Sequence, residues 1–269
     1  MNLIHYLRAL WGIVWRELSR FVTQRERFIS ALVRPLLWLF VFAAGFRSAL
    51  GLAIAPPYET YILYEVYITP GLCGMIQLFN GMQSSLSMVY DREMGSMRVL
   101  MVSPLPRWFL LLSKLLAGVG VSILQVYVFL AVAWFYGIKA PWQGYLHVFP
   151  ALILSGLLLG ALGLLLSSFI KQLENFAGVM NFVIFPMFFM STALYPLWKI
   201  KESSVLLYQI AQYNPFSHAV ELIRFALYEQ FNIYSFYYTL AIFFVFMMGA
   251  IMGYNPSKGM MVKKGGGPA

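Results

Sequence analysis

Few side chains in this sequence have the types and spacing that chemistry requires. Cys73 is the single cysteine and cannot form an internal disulfide, and the three histidines are far apart in the chain. His218 and Glu221 stand three residues apart, a spacing that would suit a metal pair or an acid–base dyad, but the sequence places no third ligand beside them. We therefore favour a local polar network of His218, Glu221 and Arg224 over a catalytic or metal site.

The motifs of common catalytic and nucleotide-binding sites are missing from the sequence. It contains no GxxxxGK[S/T] phosphate loop, no GxSxG nucleophile elbow and no HExxH zinc motif. No apolar segment carries the paired carboxylates that proton-driven carriers use. We therefore expect no catalytic residues, no metal site and no ATP hydrolysis by this chain itself.

A polar face lies within one otherwise apolar segment. Gln77, Asn80, Ser84 and Ser87 recur at steps of three, four and three, so they share one side of a helix. Polar groups inside a membrane must find polar partners or water. We predict that this face lines a substrate pathway, with Asn181 as a neighbour from another helix; the alternative is that the polar groups only hold helices together.

The composition assigns these residues to a membrane protein. Of 269 residues 61% are hydrophobic and 11% are charged, and the mean hydropathy is +0.73. A soluble domain of this size needs about twice that charged fraction to cover its surface. The net charge of +9 therefore indicates orientation in a lipid bilayer, and we expect membrane lipids but no nucleic acid as partners.

The predicted fold class is an all-α membrane protein with six transmembrane helices, an N-terminal amphipathic interfacial helix and short re-entrant outer helices between spans five and six. Residues 1–27 form the interfacial helix, 28–254 a single membrane domain, and 255–269 a cytoplasmic tail that we expect to be disordered. The six predicted spans cover about residues 28–47, 69–90, 108–136, 146–170, 173–194 and 233–254.

The charge distribution predicts the orientation. Six spans place both termini on one side, and that side then carries fourteen of the nineteen Lys and Arg residues. By the positive-inside rule both termini are cytoplasmic, in a multi-pass protein of the cell membrane, which we expect to be a bacterial inner membrane. The N-terminal helix would lie flat on the cytoplasmic surface; packing as a lid on other protein is the alternative.

The segment 91–106, between spans two and three, is charged and has an apolar face. A short helix over 91–102 would end before Ser103-Pro104, because the residue before proline avoids helical geometry. Such a helix suits docking of a protein partner, and a solvated connector is the alternative. Its polar and charged residues are Asp91, Arg92, Glu93, Ser96 and Arg98.

The segment 195–232, between spans five and six, is too long for a hairpin and too polar to span the membrane. Asn214-Pro215 is typical of a helix start, with Asn as the cap and Pro in the first turn. We predict two short amphipathic helices that dip into the outer leaflet.

Two further periodic patterns predict packing rather than chemistry. Gly156, Gly160 and Gly163 allow close approach of another helix to span four. A row of tyrosines at steps of three predicts a membrane-interface belt in preference to a stacking surface for cargo. This row is Tyr58, Tyr61, Tyr64 and Tyr67.

Taken in order, these features resemble the type-2 integral membrane subunits of ATP-binding cassette (ABC) exporters. The resemblance rests on the interfacial helix, the ending Val-Ser-Pro-Leu-Pro-Arg at 102–107, the Leu-Tyr-Pro-Leu turn at 194–197, and the segment 214–224. That last segment begins with Asn214-Pro215 and ends with Arg224, as in the family's signature.

The resemblance implies a permease subunit that pairs with a second copy and is driven by two copies of a separate ATPase that binds ATP and Mg. Segment 91–102 would be the coupling helix, the turn with Lys171 and Glu174 a second docking point, and spans two and five would line the dimer axis. Segment 195–232 would form an outer lid. A non-transporting membrane anchor or assembly factor that recruits a cytoplasmic partner is the alternative function.

Overall fold

The computed structural model describes residues 3–23, 25–46, 56–93, 105–170 and 172–254, and over these ranges the chain forms ten α-helices and no strand. The all-helical fold class is thus confirmed for this part of the chain. Ser96, Arg98, Lys171 and the 255–269 tail lie outside the described residues. The helices are α1 Leu3–Thr23, α2 Arg25–Phe46, α3 Tyr64–Glu93, α4 Arg107–Phe135, α5 Gly144–Phe169, α6 Leu173–Phe189, α7 Leu197–Ser203, α8 Val205–Tyr213, α9 Pro215–Leu227 and α10 Ile233–Gly253.

Three of these helices, α4, α5 and α10, are long and apolar enough to cross a membrane. The apolar part of α2, Leu32–Val41, and the whole of α6 are shorter than a full span. Helix α3 has 30 residues, but it carries the polar face that contains Gln77 and Asn80. The described residues therefore support several membrane helices, while the complete six-span topology stays a prediction.

Helix α3 runs parallel to α5 and antiparallel to α4. Gln77 contacts Ser155, and Gly81, four residues later, meets Gly160. In the opposite sense, Asn80 bonds Gln125 whereas Met88 accepts a hydrogen bond from Lys114. The end of α3 therefore lies beside the end of α5 and the start of α4.

The bundle accordingly has two ends, which we name the Arg107 end and the Tyr67 end. Helix α3 begins at the Tyr67 end and finishes at the Arg107 end, where α4 begins. A hydrogen bond of 2.6 Å between the hydroxyls of Ser167 and Tyr254 brings the end of α10 to the Arg107 end. Helix α1 packs there too, with the ring of Tyr6 5.0 Å from that of Phe109.

Small residues bring α3 and α5 into direct backbone contact, as the glycine pattern predicts. A Cβ atom on Gly81 would lie 2.9 Å from the Cα atom of Gly160, and one on Gly163 would lie 2.8 Å from the carbonyl oxygen of Gly81. The apolar window of α5 is 67% buried, against 22% for that of α10. Helix α5 therefore forms the centre of the bundle and α10 its edge.

Segment 195–232 contains three short helices, α7, α8 and α9, where the sequence analysis predicts two. Asn214 caps α9 and Pro215 occupies its first turn, as predicted. The polar residues Ser217, His218 and Arg224 are buried together with the apolar ones. They are covered because α9 packs between α3, α5 and α10.

The prediction of a membrane-interface belt is wrong for three of the four tyrosines. Tyr58, Tyr64 and Tyr67 are buried, whereas Tyr61 is 60% exposed. Tyr58 packs against Tyr228, with 4.6 Å between the ring centres, and Tyr67 contacts Thr192 and Arg224, so residues of segment 190–232 cover these rings.

Candidate functional site

The carboxamide of Gln77 is buried between α3 and α5. Its Nε2 donates to the carbonyl oxygen of Leu152 at 2.7 Å, and its Oε1 accepts from the hydroxyl of Ser155 at 2.6 Å. Gln77 is 1% exposed. Both ends of the amide are therefore satisfied inside one copy of the chain, which is the arrangement expected of polar groups that hold helices together.

The other members of the polar face are less enclosed. Asn80 donates from Nδ2 to Oε1 of Gln125 on α4 at 2.8 Å, and the hydroxyl of Ser87 donates to the carbonyl oxygen of Ser84 at 2.7 Å. Asn80, Ser84 and Ser87 are each half-buried. The amides of Gln77 and Asn80 thus bond α5 and α4 rather than Asn181, which lies exposed on α6.

The predicted coupling residues that the structure describes lie at the Arg107 end. Asp91, Arg92 and Glu93 form the last turn of α3, so the coupling segment begins within this long helix. Glu174 is exposed in the first turn of α6. Because α6 follows the end of α5, Glu174 lies at the same end of the bundle as Glu93.

At the Tyr67 end, Arg224 is the centre of a buried cluster that we name the Arg224 cluster: Arg224, Glu221, Tyr67 and Thr192. Arg224 is 1% exposed and forms an ion pair with Glu221 one helical turn earlier. Its Nη2 donates to the carbonyl oxygen of Thr192 at 2.8 Å, and its guanidinium lies 4.1 Å from the centre of the Tyr67 ring.

Electrostatics explain how this guanidinium is tolerated away from water. Burial by itself lowers the pKa of Arg224, but the charge of Glu221 and the neighbouring Tyr67 and Tyr58 outweigh it and keep the pKa above its ordinary value. The Tyr67 hydroxyl also donates to the Thr192 carbonyl oxygen, at 2.9 Å. The cluster therefore joins α3, α9 and the turn after α6 around one paired charge.

Asn214 joins the end of α6 to the start of α9. Its Oδ1 accepts from the backbone N–H of Phe216 at 2.9 Å, as a helix cap does. Its Nδ2 donates to the carbonyl oxygens of Met187 and Met190, each at 2.8 Å. Met187 lies in the last turn of α6 and Met190 directly follows the helix, where helical partners are missing, so one side chain joins the end of α6 to the start of α9.

His218 lies apart from Arg224 and contacts α8 and α10 instead. Its Nε2 is 2.9 Å from the carbonyl oxygen of Gln212, its Nδ1 is 3.5 Å from the hydroxyl of Ser235, and its ring lies 3.9 Å from that of Tyr238. These partners require Nε2 to carry the proton of the neutral ring. Burial lowers the pKa of His218 and outweighs the Gln212 bond and the Glu221 charge, which act in the opposite direction.

The structure therefore divides the predicted polar network. Glu221 pairs with Arg224, while His218 joins α9 to α8 and α10 through backbone, hydroxyl and aromatic contacts. Sequence reasoning missed Tyr67, Thr192 and Ser235. Tyr67 carries a signal in hindsight, since a tyrosine within an apolar helix start can face a buried cation; Thr192 acts through its backbone carbonyl, which has no sequence signal.

Comparison with known proteins identifies the family of this chain. The family model described as "ABC-2 type transporter" matches residues 8–228, which include the polar face and the whole of the Arg224 cluster. The chain belongs to the ABC-2 type transporter family. As an ABC-2 chain with several apolar helices, it is a multi-pass membrane protein related to transport permeases.

Relatives of this ABC-2 chain carry several names. It is 28% identical over 225 residues to "Putative transport permease ycf38" of Cyanophora paradoxa, covering 82% of this chain and 74% of that one. It is 30% identical over 171 residues to "Probable multidrug ABC transporter permease YbhR" of Escherichia coli K12, covering 62% and 45%, so it spans less than half of that longer relative. "Nodulation protein J" of Rhizobium leguminosarum is 22% identical, with 80% of each chain covered.

Proposed function

We propose that this chain is the permease subunit of an ABC exporter, in which two copies form the substrate pathway and a separate pair of ATPase subunits drives it. ATP and Mg would be bound by those partners, since the sequence has no phosphate-binding loop. Family membership and relatives named as permeases support this proposal. The proposed cellular location is a bacterial inner membrane, with both termini of the chain in the cytoplasm.

One observation carries the proposal of a second copy. Helix α6 is apolar, yet only Phe176, Ile184 and Phe188 of its 17 residues are buried. Asn181 is exposed beside Phe182, which is 78% exposed. A polar amide on a lipid-facing helix lacks partners, and pairing across a dimer axis would supply them.

Cysteine cross-linking in native membranes tests this arrangement. Replacement of the buried Cys73 by Ala gives a background without thiols. In that background we expect Asn181→Cys to yield a covalent dimer with a short bis-maleimide, and Met248→Cys, which is also exposed but lies on α10, to yield none. Efficient cross-linking from Met248→Cys with none from Asn181→Cys would overturn the proposed dimer axis.

The proposed coupling site is the Arg107 end, where α3 finishes and α6 begins. ATP binding must favour one arrangement of the permease over another, or no movement follows. An ATPase docked at Glu93, Arg98 and Glu174 could shift the end of α3. The rigid contact between α3 and α5 would carry that shift to the membrane helices.

Reconstitution with the ATPase tests coupling. Glu93→Ala and Arg98→Ala should reduce transport and the permease-dependent part of ATP hydrolysis while membrane insertion stays normal. Glu59→Ala, an exposed acidic residue at the Tyr67 end, is the matched control. If both variants insert normally and leave transport and coupled ATP hydrolysis unchanged, the coupling assignment is wrong. A chain that associates with no ATPase would instead be a membrane anchor or assembly factor.

A further inference from the structure

A cavity of about 430 Å³ opens at the Tyr67 end, among α7, α8, α9 and the start of α10. Its volume falls within the range of small-molecule sites, roughly 300–1,000 Å³. Its lining combines aromatic rings with polar groups and includes Trp198, Gln212, Glu221, Arg224, Asn232 and Tyr234.

The charges in the lining cancel each other. The guanidinium of Arg224 is engaged by Glu221, by the carbonyl oxygen of Thr192 and by the face of Tyr67. An anionic ligand would have to compete with Glu221 for this group and would approach the Glu221 carboxylate in doing so. The site is therefore better suited to an uncharged ligand than to a phosphate or a carboxylate.

Neutral amides provide the spare hydrogen-bonding capacity. The carboxamide of Gln212 is half-buried, and within the described part of the chain it bonds no other group, since only its backbone carbonyl engages His218. Asn232 uses Oδ1 to accept from the backbone N–H of Ser235 at 3.0 Å, which leaves its NH₂ group to donate. Together they offer donors and an acceptor, the combination that matches hydroxyl groups.

Two aromatic rings of the same cavity lining have substantial exposed area. Trp198 on α7 is 41% exposed, and Tyr234 on α10 is 60% exposed. Flat aromatic faces pack well against the C–H surface of a ring compound, while their polar edges remain available for hydrogen bonds. A purely apolar ligand would use the rings but would leave the buried part of Gln212 without a partner, which is costly.

We propose that this cavity binds an uncharged polyhydroxyl ring compound, of the size of a monosaccharide or disaccharide. The hydroxyl groups would pair with Gln212, with Asn232 and with Oε2 of Glu221, the carboxylate oxygen that does not pair with Arg224. The ring would pack on Trp198 and Tyr234. The inference concerns one copy of the chain and stands independently of the proposed dimer and ATPase.

Binding of maltose to the chain in lipid nanodiscs, without ATPase and without maltoside detergent, tests the proposal. We expect saturable binding with one maltose per chain by calorimetry or saturation-transfer NMR. Gln212→Leu and Trp198→Ala should each weaken it on the order of tenfold, the effect of losing one buried contact. Gln143→Leu, an exposed glutamine at the same end but outside the cavity, is the matched control and should bind as the parent does.

Three binding results would overturn the proposed sugar site. Maltose, glucose and sucrose all failing to bind overturns the proposal, as does equal weakening in Gln143→Leu. Tighter binding of inorganic phosphate than of any neutral sugar shows an anion site instead and also overturns it. The two cavity variants act on different groups, so loss of folding in one, seen as aggregation on gel filtration, leaves the other to decide.

Discussion

The guanidinium carbon of Arg224 lies 4.1 Å from the centre of the Tyr67 ring, so a residue of α9 rests on the first turns of α3. Two elements separated by more than 150 positions in the sequence are joined at this contact. Glu221 completes it by neutralising the charge, and the carbonyl oxygen of Thr192 receives hydrogen bonds from both Arg224 and Tyr67.

Removal of the Arg224 charge should destabilise the fold strongly. Arg224→Met leaves the partly buried carboxylate of Glu221 unpaired and frees the Thr192 carbonyl, which we expect to cost about 3 kcal/mol or more. Thermal unfolding of the purified protein in detergent measures the change. Lys139→Met is the control, because Lys139 is exposed and only 5.5 Å from the ring of Trp134, a contact that contributes about 1 kcal/mol at most.

The double variant Arg224→Met with Glu221→Gln separates the charge effect from packing. If the unpaired carboxylate dominates, the second substitution should restore part of the lost free energy of unfolding. Simple addition of the two single losses would contradict the ion-pair account.

Replacement of Asn214 by aspartate should destabilise the fold, although aspartate is a good helix cap. Asn214→Asp keeps the acceptor for Phe216 but loses both donations to Met187 and Met190 and places a carboxylate beside their carbonyl oxygens. We therefore expect Asn214→Asp to lower the free energy of unfolding at least as much as Asn214→Ala, by about 2 kcal/mol. Chemical denaturation of the purified chain can compare these variants.

Asn232 provides the matched control for this prediction. It caps α10 through Oδ1 alone, so Asn232→Asp keeps the bond to the N–H of Ser235 and should change stability little. Equal losses from Asn214→Asp and Asn232→Asp would show that the two bonds to α6 carry no stability.

Addition of a single methyl group at the backbone contact between α3 and α5 should lower the stability of the fold. Gly81→Ala places Cβ 2.9 Å from the Cα atom of Gly160, and backbone cannot yield as a flexible side chain can, so we expect a loss of about 1–3 kcal/mol. Gly120→Ala meets nothing within 4 Å on α4 and should be neutral or stabilising by up to about 1 kcal/mol. The difference between the two unfolding temperatures tests this, and an unchanged temperature for Gly81→Ala would contradict it.

Stability should fall in mild acid through His218. Because burial lowers the pKa of His218 in the folded state, the unfolded chain takes up the proton first as pH falls below about 6.5. Its contribution is therefore fully present above that pH and decreases below it, until the folded state also binds the proton. Unfolding temperatures between pH 8 and pH 5 measure the slope.

A glutamine in place of His218 should flatten this dependence, since the side chain no longer titrates. His147→Gln, which changes an exposed histidine on α5, should leave the slope as it is in the parent. An unchanged slope in His218→Gln would assign the pH dependence to other groups.

The features that sequence reasoning predicts well depend on local pattern. The positions of α4, α5 and α10 follow from long apolar runs, the start of α9 follows from Asn214-Pro215, and the contact at Gly160 follows from small residues spaced by four. Each of these signals lies within one continuous stretch of the sequence. For that reason one sequence without relatives is enough to detect them.

The features that sequence reasoning misses depend on contacts between distant segments. Tyr67 contacts Arg224, which is far away in the sequence, and the Thr192 carbonyl oxygen accepts two hydrogen bonds without any part played by the Thr192 side chain. The partners of Gln77 are a backbone carbonyl and Ser155 on α5, neither of which periodicity can identify. Amphipathic spacing in α9 predicts one covered side, whereas three surrounding helices cover it nearly all round.

The shared carbonyl oxygen of Thr192 has a mechanical consequence. Separation of α9 from α3 removes the contact between Arg224 and the Tyr67 ring and breaks at least one of the two hydrogen bonds to this oxygen. Asn214 fastens the same short helices to α6. A displacement of α6 is therefore transmitted to α9 through several contacts, which include the Asn214 amide and the two hydrogen bonds between Thr192 and Ser217.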